Sequence, residues 1–115
     1  MVTTFHASEV SSVPVEGICT VAFADSSLNQ YLLLQLDEET NDHYLEFGDQ
    51  SKSAYGAVGS AFVRSGCVTF NISLAASAIL GANEVEVEYS LSESELQSMS
   101  AVLSRILGGG RVQIL

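Results

Sequence analysis

Tryptophan is absent, proline occurs once (Pro14), and 115 residues hold only two cysteines, two histidines and four basic residues. Each shortage closes off a class of function. Four Lys and Arg against 14 Asp and Glu leave a formal net charge of −10. Such a chain repels phosphate backbones, so no nucleic-acid partner is expected. It gains nothing at an anionic surface, so no membrane partner is expected either. No apolar run approaches the ~18 residues that a spanning helix needs. The start, M-V-T-T-F-H, lacks the basic residues and apolar core of a secretion signal, so a cytoplasmic location is expected. With one proline and no biased tract there is no linker, and residues 1–115 read as a single domain.

The few cysteines and histidines also limit chemistry. Cys19 shares a strand face with Val21 and Phe23, while Cys67 shares a polar one with Thr69 and Asn71, so neither a disulfide nor a thiolate metal site is expected. His6 and His43 lie in no nucleophile, zinc or relay motif. Ser60 lacks the flanking glycines of a nucleophile elbow, and the glycines at 56 and 59 are not followed by what a phosphate loop or dinucleotide fingerprint requires. The D-E-E-T-N-D-H segment at 37–43 begins like a calcium loop. It has Asp42 where that loop needs glycine and Gly48 where it needs glutamate. No cofactor, no metal and no catalytic residue is expected.

What is present is a core. At 47% hydrophobic and 16% charged the composition is globular, and a chain of this length buries roughly 65% of its unfolded surface. Alternation predicts strands at 3–7, 18–23, 31–36, 44–47, 58–64, 67–73 and 84–89, with a turn region at 11–17 and a hydrophilic loop at 37–43. The strand at 31–36 has leucines on both faces, which predicts a central strand covered on both sides, one by a helix layer and the other by a second layer, a strongly curled sheet or a partner chain. Ser65-Gly66 closes a hairpin, with glycine expected at positive φ. Ser73 caps a short helix at 74–80 that Gly81 ends. Ser92 and Glu95 form a capping box for a final helix at 93–107, with Leu96, Met99, Leu103 and Ile106 as its core stripe. The fold class is α+β, a mostly antiparallel sheet of about six strands packed by a short helix and a C-terminal helix. Residues 111–115 form either an edge strand or a tail.

Two acidic surfaces are candidates for partner binding. Glu84, Glu86 and Glu88 recur on one face roughly 7 Å apart, inside the ~8 Å Debye length, so they build a local negative potential that draws basic proteins. The bland alternative is a solubilising face that guards against edge pairing. The second surface surrounds the stretch Y-L-E-F-G-D-Q-S-K-S-A-Y-G at 44–56, where Tyr44 and Tyr55 accompany Glu46, Asp49 and Gln50. Tyrosine beside carboxylate supplies rigid area and hydrogen bonds. Here the bland alternative is that Asp49 and Gln50 only shape a turn. Glu46 and Asp49, flanked by His43 and Lys52, could also form an acid–base pair.

That stretch, with F-H-A-S-E at 5–9, V-A-F-A-D at 21–25, Y-L-L-L-Q at 31–35, V-E-V-E-Y at 85–89 and the helix end at 103–108, resembles the tenth family of bacterial immunity proteins from polymorphic toxin systems. The likeness spans nearly the whole chain. It departs from the family pattern at Gly48, where that pattern has asparagine, and at Gly56-Ala57, where it has Gly-Gly. The resemblance implies a small cytoplasmic α+β protein that is not an enzyme and that binds and blocks a cognate toxin domain. Asp49 and Gln50 match the family's recurring polar pair, as contact or loop-shaping residues. Two other readings stand beside it. One is a homodimer or larger homo-oligomer with a structural or regulatory role, suggested by the two-sided strand. The other is a small hydrolase using Glu46 or Asp49.

Overall fold

The computed structural model describes residues 2–27 and 29–115. Among the described residues, ten strands and two α-helices follow in the order β1 (Val2–His6), β2 (Glu9–Val13), β3 (Thr20–Ala24), β4 (Tyr31–Asp37), β5 (Asp42–Phe47), β6 (Ser53–Tyr55), β7 (Val58–Val63), β8 (Cys67–Ile72), α1 (Leu74–Leu80), β9 (Glu84–Glu88), α2 (Glu93–Leu107) and β10 (Val112–Ile114). The α+β class, the mostly antiparallel pairing and the two helices match the sequence reading. The strands, however, divide into two five-stranded sheets, ordered β1-β9-β8-β7-β10 and β2-β3-β4-β5-β6.

The chain changes sheet at two bends. At Ala7-Ser8 it passes from β1 to β2, held by Ala7 N–H to Glu88 O (2.7 Å) and Ser8 N–H to Ala24 O (2.9 Å). At Gly56-Ala57 it passes from β6 to β7. Gly56 takes φ +64°, which an L side chain resists, and its N–H donates to His43 O at 2.9 Å. The inward faces of both sheets therefore share one core. Phe23 of β3 lies 6.0 Å from Phe70 of β8 and 6.4 Å from Tyr89, and Phe5 of β1 lies 6.3 Å from Phe47 of β5. Helix α2 packs along β2, β3, β4 and β5 and reaches β7 and β10, inserting Met99, Leu103 and Ile106.

Helix ends follow their caps. Ser73 Oγ accepts from Ala76 N–H, Gly81 closes α1 in the left-handed conformation, and both bonds of the Ser92–Glu95 box are made. Four expectations are corrected. Part of the 11–17 turn region belongs to β2, whose polar E-V-S-S-V sequence suits a half-buried edge. The 37–43 loop shrinks to a turn at 38–41, where Asp37 Oδ1 accepts from Glu39 N–H at 3.0 Å and Asn41 takes φ +56°. Gly66 does not adopt positive φ; its carbonyl accepts from Tyr89 N–H instead. Finally, β4 is not apolar on both sides. Leu32, Leu34 and Leu36 share the inward phase, and Leu33 alone of the four points outward. The tail 112–114 forms β10, parallel to β7. Among the described residues no helix is long and apolar enough to cross a membrane.

Candidate functional site

Both helices direct their buried residues into the shared core, so neither covers the outward face of either sheet. The candidate residues separate onto these two faces, which point away from each other. On the first sheet, Glu84, Glu86 and Glu88 pair in register with Val2, Thr4 and His6 of β1 and with Asn71, Thr69 and Cys67 of β8. Strand β9 is therefore interior, and its glutamates guard no edge. Among the described residues none of the three carboxylates lies within ion-pair distance of a cation. Cys67, half-buried and free, borders this stripe, while the free Cys19 is buried in the core.

The second sheet presents a different surface. Register places Leu33 opposite Ala22 and Glu46, Gln35 opposite Tyr44, and Tyr44 opposite Tyr55. Three of the four tyrosines thus meet on one face. Glu46 organises two of them: the Tyr44 hydroxyl donates to Oε1 at 2.6 Å, and the Tyr31 hydroxyl donates to Oε2. Both phenols are held in their protonated form. Tyr31 is pushed up to about 12, first by that hydrogen bond and then by burial, and Tyr44 is raised with the same bond as the leading cause. The Tyr44 and Tyr55 rings meet edge to face, centroids 5.4 Å apart, and Tyr55 remains 59% exposed. The result is a rigid aromatic surface around one carboxylate, with Ala22 and Leu33 as its apolar part.

Asp49 and Gln50 lie beside this face in the β5–β6 turn, and their visible work is local. Asp49 Oδ1 accepts from Ser51 N–H at 3.0 Å, Asp49 O from Lys52 N–H at 2.9 Å, and Gln50 O from the Ser53 hydroxyl at 2.9 Å. The Asp49 carboxyl is held below its ordinary range by the Ser51 amide first, then the Ser51 hydroxyl and Lys52. Gly48, at φ +77°, starts the turn.

His43 does not join Glu46 and Asp49. It has the inward phase of β5 and is buried. Its Nε2 accepts from Val58 N–H at 2.9 Å, so the ring proton sits on Nδ1, which lies 3.6 Å from Asp42 Oδ1. The register between β7 and β8 shifts between Val58 and Ser60, and the imidazole supplies the bond that Val58 needs there. Burial holds the imidazolium pKa below its ordinary value; Asp42 opposes this and Arg111 adds to it. The acid–base grouping with His43 is therefore not assembled. Sequence reading missed Tyr31 and Leu33 as members of the tyrosine face. The signal was their odd-numbered phase, but only the length of the 38–41 turn sets them beside Glu46.

Comparison with family models, with curated proteins and with solved structures found no match.

Proposed function

We propose that the chain is a non-enzymatic immunity protein, one that binds and neutralises a cognate toxin domain in the cytoplasm of the cell that makes it. The observation that carries this reading is the uncovered tyrosine face. Tyrosines whose hydroxyls are already committed to one carboxylate lose little freedom on binding, and exposed aromatic surface of this kind supplies interface anchors. The resemblance to the immunity family supplies the partner class. The net charge of −10 favours a basic domain, and it disfavours a homodimer, since a second copy would bring a second face centred on Glu46. Light scattering should accordingly show a monomer.

The test is co-expression with the toxin domain encoded beside this chain. A stable complex that suppresses toxicity is expected, and loss of neither binding nor toxicity control in Tyr31→Ala, Tyr44→Ala and Tyr55→Ala together would remove the tyrosine face from the account. The Glu84, Glu86 and Glu88 stripe has a separate role as a long-range attractor. Replacing all three by glutamine should slow association about three- to tenfold at low salt and leave dissociation unchanged. Stopped-flow association across a salt series reads this directly; equal rates for both proteins at every salt concentration would contradict it.

A further inference from the structure

The tyrosine face ends, on the side of the β4–β5 turn, in an open pocket of about 530 Å³. Its walls include the Tyr44 and Tyr55 rings, and its rim includes Gln35, Asp37, Glu38 and Glu39. We infer that this pocket is the anchor site for one guanidinium group, an arginine side chain presented by the protein partner. The inference rests on the partner-binding reading above and deepens it by naming the residue that the surface receives.

Four features point to that chemistry. The Tyr55 ring, packed at 60° to Tyr44, is 59% exposed, and an exposed aromatic ring offers a flat cation a surface to stack on. The Tyr44 hydroxyl is committed to Glu46, so this wall offers a cation its ring rather than a competing donor. The rim is anionic and only partly neutralised from within the chain. Glu38 has Arg105 at 3.5 Å, but among the described residues Asp37 and Glu39 have no cation within ion-pair distance. The turn bonds engage Asp37 through Oδ1, which leaves its other oxygen for an incoming donor. Gln35 adds a side-chain amide oxygen as a neutral acceptor. An aromatic plane beside several oxygen acceptors matches a planar group with five donors better than a compact, strongly hydrated ammonium. A phosphate or carboxylate ligand would meet like charge, and an apolar one would strand Asp37 and Glu39.

The experiment is an amide NMR titration of the full chain with N-acetyl-arginine methylamide, compared with the uncharged citrulline analogue and with N-acetyl-lysine methylamide. Expected are saturable shifts confined to Gln35, the 37–39 segment, Tyr44 and Tyr55, absent with the citrulline compound and weaker with the lysine one. Tyr55→Ala should weaken the arginine response about two- to fivefold, and Tyr55→Phe, which keeps the ring, should retain it. Shifts equal in size along Glu84, Glu86 and Glu88 would reduce the effect to general charge attraction and overturn the inference. So would tighter binding of the lysine compound, or no saturable response at all. Because the probe is not the toxin, failure here removes the anchor and leaves the partner reading, whereas failure to form a complex on co-expression removes the partner reading even where the guanidinium shifts are seen.

Discussion

Phe23→Ala is expected to lower stability by about 3–5 kcal/mol, the usual range for deleting a buried aromatic ring. Against the 5–15 kcal/mol typical of a domain, that is a large share of the whole. The size follows from position. Phe23 is fully buried and touches Phe70 and Tyr89, so its ring joins β3 of one sheet to elements of the other. Tyr89 is itself fixed, its hydroxyl shared between Arg64 O at 2.7 Å and Cys67 O at 2.9 Å, so it cannot move far to fill the gap. Urea unfolding followed by circular dichroism should show the midpoint falling with an unchanged slope. A loss under about 1 kcal/mol would mean that the two sheets do not share their core through this ring.

His43→Ala is the second large effect, about 2–4 kcal/mol at neutral pH, from lost packing together with a Val58 N–H left without its acceptor. The distinguishing signature is its pH dependence. Burial favours neutral His43 in the folded state, so the folded pKa lies below the ordinary value near 6.5 that the unfolded chain keeps. Below that value the unfolded state binds the extra proton. Stability from His43 is therefore complete above about pH 6.5 and declines as pH falls through the window beneath it, by up to about 1.4 kcal/mol per pH unit. Asp42 moderates the decline and Arg111 steepens it. The gap between wild type and His43→Ala should consequently narrow from pH 7 to pH 5. A gap that stays constant would place the imidazole outside the bond to Val58.

The same residue marks what could be read from the chain and what could not. Ser73, Gly81, Ser92 and Glu95 gave both helices to the residue, because caps act within a few positions of themselves. Strand faces were equally local: Phe5, Cys19, Val21 and Val85 fell inward by alternation alone. Pairing was not local. Nothing near Val2 announces its parallel partner Glu84, nor near Val112 its partner Ala61. The division into two sheets rests on such distant matches. Strand β6 is three residues long and three of the five residues of β2 are serine or glutamate, so neither carries enough alternation to announce itself. At the candidate site, Tyr44, Glu46 and Tyr55 were legible because they share one stretch of chain. Tyr31 and Asp37 arrive through the pairing of β4 with its two neighbours and Glu39 through the 38–41 turn, and the Glu84 stripe lies on the outward face of the other sheet. His43 has the phase of Leu45 and Phe47, which points it inward; its polarity drew the reading toward the surface.

The most direct measurement is cross-saturation from the bound toxin domain onto this chain. Intensity loss is expected at Ala22, Leu33, Tyr44 and Tyr55, with Thr4, Thr69 and Glu86 on the other sheet unaffected. Loss concentrated at Thr4, Thr69 and Glu86, with the tyrosine face silent, would contradict it.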